Sequence, residues 1–228
     1  MSNQYKSNKE HKHKWIVVER KLEDGFQYKY NQCEICHAAK YPSFELQKIF
    51  DYKKEHLFLT VTDTIIIILS IGFDYPEYRN HPKKNYIPGI TFLQKLLFLF
   101  YYENAQNFKI PTENPGFRAY KYGPFSDNID ITIDSLIENK IIFVEGGRKS
   151  SQKERFFLSD EGVKRGEVLK KKLTTEQRNA LLEFRLFWDE KKLKGLMKYV
   201  YSKYKEFTNQ SLILKELFPG RKLHRYKG

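Results

Sequence analysis

Phe117-Arg-Ala-Tyr-Lys-Tyr-Gly-Pro-Phe-Ser126 runs directly into Asp127-Asn-Ile-Asp-Ile-Thr-Ile-Asp-Ser-Leu-Ile-Glu-Asn139, and this junction decides the fold. Ser126 is placed to cap a helix, and Asp127 and Asp130 fall in its first turn, where the helix dipole favours negative charge. Ile129, Ile133, Leu136 and Ile137 recur at helical spacing and make one apolar stripe. After the helix come Ile141-Ile-Phe-Val144, a turn from Glu145 to Gln152, and Arg155-Phe-Phe-Leu158. A helix followed by a two-stranded hairpin with a polar, basic tip reads as the second half of a winged helix-turn-helix, and the apolar segments upstream can supply the first half.

Working outward, Val61–Ile71 reads as a buried helix with Thr60 or Thr62 near its cap, although its isoleucines also suit a strand. Ile90–Tyr102 is apolar almost all round, as a central helix would be. Between them lies a Pro/Asn/Gly-rich connection, Asp74–Gly89. Downstream, helices are expected from Ser159 to about Lys172, from Glu176 to about Phe187, over Leu193–Phe207 and over Ser211–Phe218. In the Tyr-Gly-Pro turn, Gly123 permits the conformation required before Pro124, and Tyr120, Tyr122 and Phe125 are expected as core anchors. Upstream, Trp15–Arg20 and Gly25–Tyr30 flank the turn Leu22-Glu-Asp-Gly25 and read as a β-hairpin. Pro42 then precedes a polar helix near Phe44–His56.

The expected class is therefore α+β, a small N-terminal zinc-ribbon β-hairpin followed by a mostly helical winged helix-turn-helix domain. The boundaries are 1–43 for the ribbon, 44–58 for a linking helix and 59–228 for the main domain. With 228 residues, 40% hydrophobic and 16% aromatic, the chain is too apolar for disorder and can bury a core. Its longest apolar stretches fall well short of the roughly 18 residues a membrane helix needs, so no membrane partner is expected. The N-terminus has no apolar signal core and only two cysteines occur, three apart, which excludes a disulfide framework and points to the cytoplasm.

His11 and His13 alternate on an extended segment about twenty residues before Cys33-Glu-Ile-Cys36. Two ligand pairs on facing turns are the usual tetrahedral zinc arrangement, and Trp15 can shield the ion from water. The segment resembles small zinc ribbons that begin ligand-x-His-x-Trp and end in Cys-x-x-Cys. The first seat in those ribbons is usually Cys and is His11 here, which leaves His37 as an alternative fourth ligand. With four protein ligands the zinc would be structural, because no open position remains for a catalytic water.

Pro88-Gly-Ile-Thr-Phe-Leu-Gln-Lys-Leu-Leu-Phe-Leu99, then Tyr120-Lys-Tyr-Gly-Pro-Phe-Ser126, then the Leu136–Ile142 stretch, are similar to the SocA-like antitoxin domain, also called Panacea. Leu196–Ser211 resembles the closing segment of its archaeal and bacterial relatives, so the resemblance covers roughly 59–215. It implies a compact helical domain with winged-helix character that neutralises a toxin or acts as a proteolytic adaptor, and it implies no catalytic residues. The ribbon is not part of the usual domain.

Lys and Arg number 41 against 28 Asp and Glu, a net charge of +13 that invites a nucleic-acid reading. The helix in the recognition position nevertheless carries Asp127, Asp130, Asp134 and Glu138 and no Lys or Arg, so it would be repelled from a major groove. That acidic face suits docking onto a basic protein, for instance a toxin. If DNA or RNA binds, backbone contacts are expected from Arg148, Lys149, Lys153 and Arg155 at the wing and from Arg221, Lys222 and Arg225 in the tail. Enzyme readings are weaker. Glu19-Arg-Lys21 has the Glu-x-Lys form of metal-dependent nucleases but lacks an acidic partner upstream on an adjacent element. No phosphate loop, nucleophile elbow or His-Glu-x-x-His helix occurs. The expectation is a non-enzymatic regulatory protein that binds a protein partner through the acidic face, with nucleic-acid binding through wing and tail as the alternative.

Overall fold

The computed structural model describes residues 12–35, 37–148 and 154–218. It is a mixed α+β structure, about 56% helical, with small antiparallel sheets. The N-terminal hairpin pairs β1 (Trp15–Lys21) with β2 (Gln27–Cys33), Trp15 opposite Cys33, and β3 (Ala39–Lys40) adds to the far side of β2. Helix α1 (Ser43–Glu55) lies against β2, where the buried carboxylate of Glu45 accepts the Lys29 N–H at 3.2 Å. Tyr28, Tyr30, Ala39, Ile49 and Phe58 form a small core for this unit.

The main core surrounds α2 (Val61–Ser70). Its isoleucine run is helical because Thr60 and Asp63 form a reciprocal capping box, and because nearly every side chain is buried, so β-branching costs little against the packing gained. The connection that follows is not a plain loop: it holds α3 (Pro76–Asn80), begun by a proline at its first position, and two single 3₁₀ turns. Strand β4 (Ile87–Pro88) leads into α4 (Gly89–Leu99), whose last turns widen into a π-helical segment, Phe100–Asn104, before α5 (Ala105–Asn107).

Strands β5 (Arg118–Tyr120) and β6 (Gly123–Phe125) form a minimal hairpin, with Gly123 at φ +81°. Tyr120 and Phe125 are half-buried there, but Tyr122 is 46% exposed at the hairpin turn and is not a core anchor. Helix α6 (Asp127–Glu138) is followed by β7 (Ile142–Glu145) and β8 (Arg155–Leu158), which join β4 in an antiparallel sheet of order β4-β8-β7. Helix α7 (Asp160–Lys171) packs on α2 through Gly166, where a methyl group would stand 2.3 Å from the Ser70 Cβ. Helix α8 (Thr175–Lys203) spans the two separate helices expected from the sequence. The interruption between them survives as a break at Lys192, φ +56°. The final helix, α9 (Leu214–Leu217), is shorter than the expected Ser211–Phe218.

Among the described residues three cations are buried. Arg185 is fully enclosed, bonding Asp189 and the carbonyls of Ile68 and Tyr86 at 2.8–2.9 Å. Lys170 pairs with Asp74 and Glu167, each at 2.6 Å. Lys95, in the middle of α4, has only the Pro124 carbonyl, at 2.8 Å, and burial pushes its ammonium down to about 7. Its folded pKa is thus below the value near 10.4 of an unfolded lysine, so the unfolded chain binds the extra proton between them. Stability should therefore rise with pH, by up to about 1.4 kcal/mol per unit, from near pH 7 to about 9.5. At higher pH the sign reverses, because Tyr78 and Tyr102 are held up to about 12 by burial and the unfolded chain ionises first. Urea denaturation across that range should show the rise in the native chain and its loss in Lys95→Met. A flat native profile would refute it.

Candidate functional site

Helix α6 is the element with the most chemistry turned outward. Its start is fixed inside the core: Gln94 donates to the Ser126 carbonyl and accepts the Ser126 N–H, both at 2.9 Å. The Ser126 hydroxyl donates to the Pro115 carbonyl at 2.5 Å and accepts the Ile129 N–H at 3.2 Å, the expected cap. Ile129, Ile133 and Leu136 are buried, while Ile131 is 67% exposed.

The four carboxylates expected to meet a partner are all on this helix, and three are already in ion pairs. Arg118 binds Asp127 with two parallel hydrogen bonds of 3.0 Å. Arg148 reaches back from the β7–β8 connection to Asp130 at 2.5 Å and Asp134 at 2.7 Å, and also contacts Glu154 at 3.4 Å. Glu138 is exposed. Burial disfavours the Arg148 charge, but the hydrogen bonds to Asp130 and Asp134 outweigh that, so its pKa is raised. Glu154 is buried and accepts the Ile90 N–H at 2.8 Å, in the first turn of α4. One guanidinium thus clamps α6 to the hairpin and to the head of α4.

This placement alters what the basic residues can do. Arg148, expected at a phosphate backbone, is instead a half-buried member of the clamp. Arg155 is exposed, with its guanidinium stacked 4.8 Å over the Tyr86 ring. Lys149, Lys153, Arg221, Lys222 and Arg225 lie outside the described residues.

At the N-terminal hairpin, the Trp15–Cys33 register and a further bond from the Glu34 N–H to the Lys14 carbonyl carry the strand pairing to its end. His13, two residues before Trp15 and stacked on it at 4.9 Å, therefore belongs to the sheet face that holds Cys33. Cys33 is buried and opens a tight knuckle, closed by bonds from the His37 N–H to its carbonyl and from its own N–H to Ala38. His13 and Cys33 are thus one nitrogen and one sulfur donor on a shared face. His37 points instead to the ring of Phe207, 5.7 Å away. Among the described residues no three His, Cys, Asp or Glu side chains gather as a metal site, and His11 and Cys36 lie outside those residues.

The opposite flank of α6 borders a cleft of about 480 Å³ that the sequence did not reveal. Its walls include Lys40, Leu46, the first turn of α2 and Ile131, and Glu113 lines it from the loop before β5. Glu113 sits in a short polar run, Thr112-Glu113-Asn114, that carries no periodic signal and reads as an ordinary loop.

No family model matches this chain, and no curated protein or solved structure matches it either. No helix among the described residues is long and apolar enough to cross a membrane.

The clamp generates a stability prediction. Arg148→Ala removes the cation shared by three carboxylates, one of them buried, and should cost about 2–3 kcal/mol in urea denaturation, less than a fully buried pair because the site is partly wet. Arg148→Lys should recover little, since an ammonium cannot reproduce the planar fork. A loss below about 0.5 kcal/mol would reduce the clamp to ordinary surface ion pairs.

Proposed function

We propose that this chain is a non-enzymatic interaction protein: a winged-helix unit that captures a protein partner on the outer face of α6, preceded by a structural zinc ribbon. The observation that carries the reading is the face itself. Helix α6 presents Asp127, Asp130, Asp134, Glu138 and a bare Ile131, and contains no basic residue to meet phosphate. The winged-helix assignment is supported by the chain order α2, β4, α4, α6, β7, β8 together with the sheet order β4-β8-β7, in which the last strand returns between the other two. The resemblance of 59–215 to SocA-like antitoxins points to the same kind of role, toxin neutralisation or adaptor work. The pairing of Arg118 and Arg148 with the carboxylates does not remove the face. It sets those carboxylates in fixed positions and lowers their cost of desolvation when a partner covers them.

A photo-crosslinking residue placed at Ile131 of the full chain, in its native host, should trap one predominant polypeptide, whereas the same residue at Val168, another exposed position, on α7, should not. Crosslinks to nucleic acid from position 131, or equal yields from both positions, would overturn the assignment. Salt-sensitive duplex binding abolished by Lys149/Lys153/Arg155→Ala, with Arg148 left in place, would support the wing-and-tail alternative instead.

For the ribbon, His11, His13, Cys33 and Cys36 are proposed as the ligands of one structural zinc, a role supported by the shared face of His13 and Cys33. The purified chain should carry about one zinc per molecule, lost in Cys33→Ser, and chelation should lower the melting temperature. Metal-free protein with an unchanged melting temperature would refute the assignment.

A further inference from the structure

The cleft beside α6 holds a carboxylate in an unusual position. Glu113 is half-buried, and its Oε2 accepts the N–H of Val61 at 2.9 Å, at the start of α2. Among the described residues its second oxygen has no hydrogen-bond or ion-pair partner. Burial raises its pKa, which means that the ionised form lacks adequate compensation. The nearby cations are engaged elsewhere: Lys53 bonds Asp63, and the Lys40 ammonium stands 5.0 Å over the ring of Trp15. Asp63 adds a second negative charge close by.

Around that carboxylate the rim is apolar and exposed. Leu46 of α1 is 46% exposed and Ile131 of α6 is 67% exposed, and both line the opening. A half-buried anion that feels a cation only through Lys53, itself bonded to Asp63, and that is framed by two bare aliphatic side chains has a definite complement. It is a cationic side chain that enters and an apolar neighbour that covers the rim.

We propose that this cleft is the receptor for a lysine- or arginine-bearing segment of the partner polypeptide, with Glu113 as counter-ion and Leu46 and Ile131 as the apolar contacts. The inference rests on the reading that α6 captures a protein, and it names the chemistry of the captured segment. The complementarity is local: a chain of net charge +13 can bind a basic segment here because Glu113 in the wall and Asp63 beside it supply negative charge, while the residues of α6 that line the cleft, Asn128, Ile131 and Thr132, are uncharged. Binding there would draw the Glu113 carboxyl fully into its ionised form.

The test is a displayed library of random short peptides selected against the full chain. Selected peptides should be enriched in Lys or Arg with an apolar residue one or two positions away. Their affinity should fall about ten-fold or more in Glu113→Gln, which keeps an acceptor for the Val61 N–H and so preserves the fold, and also in Ile131→Ser. Peptides without a basic residue, no selectable peptide, or equal binding to Glu113→Gln would each overturn the proposal. Self-association that Glu113→Gln abolishes would also overturn it, by making the occupant a second copy of this chain. If the partner trapped at position 131 is still trapped in Glu113→Gln, the interaction role of α6 stands and the Glu113 receptor falls.

Discussion

The two hydrogen bonds between Gln94 and Ser126 fix where and how α6 leaves the core. They lie in the core, where an amide left unpaired would cost about 1–3 kcal/mol, so Gln94 holds the chain at one point and in one orientation. Because Ser126 is also the cap of α6, fixing its peptide fixes the axis, rotation and first residue of that helix. Everything α6 does to either side follows from this. Its Asp130 and Asp134 edge meets the Arg148 clamp, and its Ile131 edge meets the cleft. Lys95, one residue along, holds the neighbouring Pro124 carbonyl and reinforces the same junction at the expense of a buried charge.

Much of this was legible locally. The cap at Ser126, the apolar stripe of α6, the β7–β8 hairpin and the first hairpin all announced themselves through short-range chemistry, and each forms over nearly the expected residues. What stayed hidden depends on contacts between distant segments. Nothing near Arg148 shows that it turns back to Asp134 rather than outward to solvent, since both conformations suit a glycine-rich connection equally well. The β5–β6 hairpin is too short to show alternation, and Tyr122 looked like a core residue only because aromatics usually are. Glu113 is the extreme case: its significance comes from a helix N-terminus fifty residues earlier and a helix face that follows it.

The charge balance reads differently once the side chains are placed. A surplus of cations suggests a basic surface, yet Lys95, Lys170 and Arg185 are buried, and Arg118 and Arg148 are paired with α6. Arg185 in particular satisfies carbonyls at the end of α2 and before β4, a task a planar fork performs better than an ammonium. Composition thus overstates the field that a nucleic acid would meet, and it conceals an acidic helix on a basic protein.

The N-terminal sheet and α6 line the same cleft. Gly116 adopts φ +72° and lies so close to β3 that a methyl group on it would stand 2.7 Å from the Ala39 nitrogen, while Asn114 bonds Tyr41 and Tyr30 through its N–H and its amide. Strand β3, which carries Ala39 and Lys40, directly follows the Cys33 knuckle and also lines the cleft. The shape of the cleft is therefore set jointly by the knuckle, which holds one side, and by the Gln94–Ser126 junction, which holds the other. Without β3 and α1, Glu113 would be a solvated loop carboxylate and the cleft would lose one of its walls.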